Sequence, residues 1–195
     1  MAALSTVSVA QCRSTPRVVD AGFWFDNVTF GLSNAHAERL GGPIDEQEKS
    51  AIASMAASEL TLAYAGLRMA FSENPGAFYR VLVVQDFPTS GAAGQSRALG
   101  PFGGRGFVSF LTVAGSAMRH APPNADRAVI IEGIGRGIGR TAAHEFAHQI
   151  LGAVNIHASQ DRNSYEYASA DRPAQCYGPI HWDLAWPFLA KTLGR

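Results

Sequence analysis

The sequence predicts an α/β (α+β) domain: a mixed sheet, a long helix packed on it, a second helix carrying two histidines, and a small C-terminal subdomain. Three observations predict it. Short runs of β-branched and aromatic residues recur at 17–32, 79–87, 106–115 and 127–133. A long alanine-rich segment with helical spacing lies between the first two runs, and a second helical segment follows the last.

Residues 17–32, RVVDAGFWFDNVTFGL, read as a strand or two. After the GGP at 41–43, Ile44 to about Phe71 reads as one long helix. Pro43 stands near its start, Asp45, Glu46 and Glu48 make its first turn acidic, and Ile52, Met55, Leu62 and Met69 lie near one face. The NPG at 74–76 ends it, and YRVLVVQDF, 79–87, is a continuous apolar run of the kind a sheet buries on both faces. Glycine-rich residues 88–106 read as a loop, GFVSFLTVAG (106–115) as a strand, and RAVIIEG (127–133) as another. GIGRGIGR, 133–140, reads as a flexible connector; it fails the G-x-G-x-x-G dinucleotide pattern because the third glycine position falls on Ile138 or Arg140. A helix is expected from about Thr141 to Leu151, closed by Gly152, and a last one near 180–193 that Pro187 begins or kinks.

Composition narrows the function classes. The chain has 195 residues, is 47% hydrophobic and 16% charged, and carries no formal net charge, so it can build a core and offers no basic excess for nucleic acid. No polybasic run points to a membrane surface, and no apolar run reaches spanning length. The start, MAALSTVSVAQC, lacks a basic n-region and a strong apolar run, so no signal peptide is expected in it, and the compartment stays open. Cys12 and Cys176 are expected as two separate thiols, with a pairing across the chain as the alternative.

The chemistry concentrates in HEFAHQILGAVNIH, 144–157. At 100° per residue, His144 and His148 fall about 40° apart on one helix face, where two imidazoles can hold one metal ion. Glu145 projects beside them, placed to take a proton from an activated water rather than to bind metal. A catalytic zinc takes three protein ligands and leaves one position open. His157, the first metal-binding residue after the helix-ending Gly152, is the leading third ligand; Asp161 and Glu166 follow, with His181 and Asp183 beyond them. For Glu166 the structural alternative is a capping box with Asn163. Tyr165 or Tyr167 could donate a hydrogen bond to a developing oxyanion, and Tyr167 is the one assigned that role. His36 and His120 stand alone and read as ordinary surface or loop histidines.

HEFAHQILG…H resembles the zincin metallopeptidases, and most of all the metzincins, whose pattern is HExxHxxGxxH. Gly152 comes one residue later than in that pattern and His157 three residues later; the longer spacing is also similar to aspzincins, whose third ligand is an aspartate. The resemblance covers roughly residues 140–157, and no methionine follows Met118 to form a methionine turn; SYEYASADRP, 164–173, stands where that turn would be. It implies a zincin-like domain over 1–195, with sheet and zinc helix in about 1–152 and a small subdomain in 153–195. It also implies Zn²⁺ held by His144, His148 and His157, Glu145 as general base, and a protein or peptide substrate. A monomer is expected, with no nucleic-acid or membrane partner, and the strand at 106–115 is the expected sheet edge for an extended peptide. The rival readings are a non-catalytic zinc-binding or adhesion module, and the same chemistry carried by a delivered toxin-like effector.

Overall fold

The computed structural model describes residues 17–87, 92–99, 103–152 and 156–195. Cys12, and with it the question of its pairing, lies outside these residues, as does the opening segment; Cys176 is a buried thiol. In chain order the elements are β1 (Val19–Phe25), α1 (Asn34–Leu40), α2 (Glu46–Ala63), β2 (Met69–Ser72), β3 (Tyr79–Val84), β4 (Gly94–Ala98), β5 (Gly104–Ser109), α3 (Phe110–His120), α4 (Arg127–Leu151), α5 (Pro173–Cys176) and α6 (Trp186–Leu193). The five strands form one mixed sheet in the order β2-β1-β3-β5-β4, with β4 alone antiparallel to its neighbour.

The largest departure from the sequence reading is α4. RAVIIEG is no strand, and GIGRGIGR no connector: both belong to a 25-residue helix that runs on through the histidine motif. Asp126 caps it by accepting from the Val129 N–H. A short apolar run does not separate strand from helix by periodicity, and glycine signals a loop only when nothing packs on it. Here the glycines are contact surfaces. A Cβ on Gly135 would stand 2.9 Å from the Ile52 carbonyl oxygen, and one on Gly139 2.4 Å from that of Ala56, both on α2. Gly133 and Gly137 admit Tyr177 and Val113 in the same way. In a free helix Gly→Ala gains roughly 1 kcal/mol. At Gly139 the sign reverses, because backbone cannot yield: Gly139→Ala is expected to lower the thermal midpoint, and Gly139→Val to lower it further, by about 1–3 kcal/mol of stability. A raised midpoint in a thermal melt would contradict this contact.

Other boundaries moved for local reasons. The helix predicted over 44–71 is α2, started by a reciprocal capping box between Asp45 and Glu48 and stopped at Tyr64 before Gly66, whose φ is +84°. Met69 therefore sits in β2 rather than on the helix. The strand read over 17–32 is only β1. The sequence reading has no counterpart to α1, which Ser33 caps and the left-handed Gly41 closes. The run at 106–115 divides at Ser109, whose hydroxyl accepts from the Thr112 N–H and begins α3. The segment read as a glycine-rich loop contains β4 and the start of β5. The last helix is shorter than 180–193, starting at Trp186 with Pro187 in its first turn.

The helix that packs on the sheet is α4, against β3, β4 and β5, and α2 packs on α4 in turn. One apolar cluster joins sheet residues Phe23, Val81 and Val108 to Ile134, Ile138 and Phe146 of α4. It also takes in Ile156, Tyr165, Ala185 and Leu189 from the C-terminal segment. The expected peptide-binding edge is corrected as well: β5 lies inside the sheet between β3 and β4, so the edge on this side is β4.

Candidate metal centre

The last turns of α4 are locked on several sides. Tyr64 donates its hydroxyl to the Ala143 carbonyl, Phe146 packs on Phe71 with ring centres 5.4 Å apart, and Arg140 pairs with Glu59 while donating to the Ala174 carbonyl. Gln149, buried and directly after His148, passes the side-chain-free positions Gly104 and Gly106 to reach the sheet. Its carboxamide exchanges two hydrogen bonds with the Arg80 backbone and donates to Ser96 on β4. These contacts fix which face of α4 bears the histidines. The helix ends at Gly152, with φ +57°, and its N–H returns to the His148 carbonyl. The chain next described is a short 3₁₀ turn, Ile156–Ala158, anchored by buried Ile156, and it presents His157.

His157 meets the other two histidines. Its Nε2 lies 2.9 Å from that of His144 and 3.1 Å from that of His148, and the latter two are 3.1 Å apart. Ligand nitrogens about 2.05 Å from a tetrahedral zinc stand roughly 3.3 Å apart, so the triangle has close to the right size. Its protonation suits a metal too. The His144 Nδ1–H donates to the Tyr165 carbonyl at 2.6 Å, which leaves Nε2 with its lone pair facing the other rings. Burial, then the neighbouring His148, pushes the His144 pKa down to about 3. Burial and His157 bring His148 to about 4. Both are neutral at pH 7, as metal binding requires.

Glu145 is buried, 4% exposed, and its Oε2 has no hydrogen-bond partner among the described residues. Burial raises its pKa to about 8. The carboxyl lies against the edge strand: a Cβ on Gly94 would come 2.2 Å from its Oε1. A buried carboxylate oxygen with no partner among the described residues carries a desolvation cost that packing alone does not explain.

The remaining candidates do not join the cluster. Asp161 accepts from the Asn163 N–H and pairs with His181 at 3.1 Å. Glu166 takes three backbone N–H groups, from Asp183, Leu184 and Ala185, at 2.7–3.0 Å, ahead of α6; the capping box with Asn163 does not form, since its own N–H goes to Ser164. Asp183 accepts from Ser159. Under the histidines, residues 164–172 are braced by Arg172, 1% exposed, which donates to the Arg162 and Ser164 carbonyls and to Gln175. The Tyr165 ring packs tilted against Trp182, 4.8 Å between centres, and its carbonyl is the atom that meets His144. Tyr167, half-buried, lines the cavity in front, and the Arg172 guanidinium lies 5.1 Å from its ring centre.

That cavity, about 630 Å³, opens beside the three histidines and Glu145 and runs along the α3 face that carries Thr112, Gly115, Ser116 and Arg119. Of the two histidines read as solitary, His36, whose Nδ1 is buried, lines the cavity, while His120 bonds the lining residue Asp171 at 3.0 Å. The sequence reading did not find Gln149, Gly94, Arg172 or the Tyr165 carbonyl. Only the glutamine next to His148 carried a signal, as a polar residue on a helix about to be buried. No protein-family model, curated protein or solved structure matches the chain.

Proposed function

We propose that the chain is a zinc-dependent metallopeptidase. The observation that supports it is the convergence of His157 on the His144–His148 pair, with Glu145 buried, its Oε2 without a partner among the described residues, and lining the same cavity. His144, His148 and His157 would hold the metal; zinc bound there supplies Lewis acidity, acidifying water and polarising a carbonyl. Glu145 accepts the proton of the attacking water and passes it to the leaving amine. Tyr167 is the residue of the cavity wall assigned to donate to the oxyanion. The backbone of β4, the outer strand of the sheet among the described residues, is the natural partner for an extended peptide. A substrate side chain beside the scissile bond would enter the cavity. The same chemistry serves a free peptidase or a delivered effector.

The test is metal dependence. Purified protein dialysed against a weak chelator is expected to retain about one zinc per chain. Stripping with a strong chelator should abolish cleavage of a mixed peptide library, and zinc should restore it. A metal-free protein that is folded and cleaves peptides would overturn the proposal. A protein that binds one zinc and cleaves nothing would favour the binding module.

A further inference from the structure

The face of the sheet turned away from α4 carries an organised set of side chains that the metal centre does not use. Gly94, Ser96, Gly104 and Gly106 face α4, through Glu145 and Gln149. Alternate residues point the other way. Register then places Arg80 of β3 opposite Arg105 of β5, and Arg105 opposite Arg97 of β4. Three arginines stand in one row across three neighbouring strands, about 4.8 Å from strand to strand. Arg97 and Arg105 are exposed, Arg80 is half-buried and donates from its guanidinium to the Pro75 carbonyl, and none of the three is ion-paired among the described residues. Beside this row runs an apolar one: Trp24 opposite Leu82, and Leu82 opposite Phe107. Leu82 is buried between its half-buried aromatic neighbours, and the Arg105 guanidinium lies 4.9 Å from the Phe107 ring centre.

Like charges directly opposite one another in a sheet are destabilising. The ion pairs elsewhere show that acids are placed beside arginines where structure needs them: Arg127 with Glu48, Arg140 with Glu59, Arg119 with Asp171. We infer that this face, an arginine row flanked by Trp24 and Phe107, docks an acidic surface of a protein partner. Carboxylates of the partner meet the exposed Arg105 and Arg97, with Arg80 adding its charge from the inner strand, while an apolar side chain rests on the aromatic row. Charge complementarity sets the sign of the partner. The mixture of arginine, tryptophan and phenylalanine is that of protein interfaces. A net charge of zero denies the chain the long-range field on which phosphate-backbone and membrane binding draw.

An alternative role for Arg97 is protection of the β4 edge against strand addition, which any charge at that position performs. Charge reversal separates the two, because glutamate protects an edge equally well. The measurement is binding of a synthetic peptide alternating glutamate with leucine to wild type and to Arg97→Glu/Arg105→Glu protein, at two salt concentrations. The same peptide with glutamine for glutamate, an oligouridylate and phosphatidylserine vesicles are run beside it. Wild type is expected to bind the acidic peptide at least tenfold more tightly than the glutamine peptide, with affinity falling as salt rises. The double variant should lose that preference at least tenfold, with a thermal midpoint near that of wild type, since positions 97 and 105 exchange one like-charge pair for another while Arg80 gains an acidic neighbour at 105. If the double variant does not fold, the single Arg97→Glu change carries the test with the same expected direction. Equal binding by wild type and variant, or none by either, overturns the proposal. Preference for the oligonucleotide or the vesicles would show that the face reads phosphate and that the partner class is wrong.

Discussion

Glu145→Gln protein is expected to keep its zinc and its fold and to lose peptide cleavage by at least the roughly 10²–10⁴-fold typical of a missing general base. Gln is nearly isosteric with the protonated carboxyl, so the close fit against Gly94 survives. What disappears is the proton acceptor beside the three histidines. A contaminating protease would not respond to this change; equal cleavage by wild type and variant would remove Glu145 from the mechanism. The same variant carries a second, opposite effect. With its pKa raised from 4.5 to about 8 by burial, the Glu145 carboxyl stays protonated in the folded metal-free protein while the unfolded chain ionises. Its contribution to folding is neutral below about pH 4.5 and turns increasingly unfavourable as pH rises toward 8. Metal-free Glu145→Gln protein should therefore melt higher than metal-free wild type at pH 7, with the difference vanishing near pH 4. Bound zinc opposes this shift, because a cation nearby favours the carboxylate. The pair of readouts, higher stability with lost turnover, separates a functional carboxyl from a structural one.

His157→Ala is expected to weaken zinc binding by more than the roughly 10–100-fold that loss of an outer partner costs, because it removes a proposed ligand itself. Its imidazole closes the triangle at 2.9 and 3.1 Å, and two histidines on one helix do not complete a catalytic site. Asp161→Ala should leave zinc affinity near wild type, since Asp161 is spent on Asn163 and His181. Glu166→Ala should act on stability instead, leaving three buried-side N–H groups of residues 183–185 without their acceptor. Zinc titration against a chromophoric chelator, with thermal melts on the same samples, distinguishes the three. Zinc lost from Asp161→Ala and kept by His157→Ala would reassign the third ligand.

The candidate site was legible where its residues are local. His144, Glu145 and His148 lie within five residues of one helix, so helical geometry alone places them together. His157 was legible through Gly152, which marks the end of that helix in the sequence and in the structure. Glu166 and Asp161 were indistinguishable from ligands by residue type. Which acids face a metal and which cap backbone depends on where residues 156–185 pass, and that path is set by packing on Trp182 and by Arg172.

By itself the sequence determined the helical histidine pair, the glutamate between them, a buried strand within 79–87, the acidic start of α2 and the absence of a charge bias. Each of these rests on neighbours within a few residues or on composition. Only the tertiary structure decided that the glycines at 133–139 belong inside a helix, because their signal is the approach of α2, α3 and Tyr177 rather than anything in their own segment. It alone made β4 the edge strand, since strand order follows long-range pairing and not chain order. The arginines at 80, 97 and 105 fell into one row for the same reason: they are scattered in the chain and become neighbours only through the register of β3, β5 and β4.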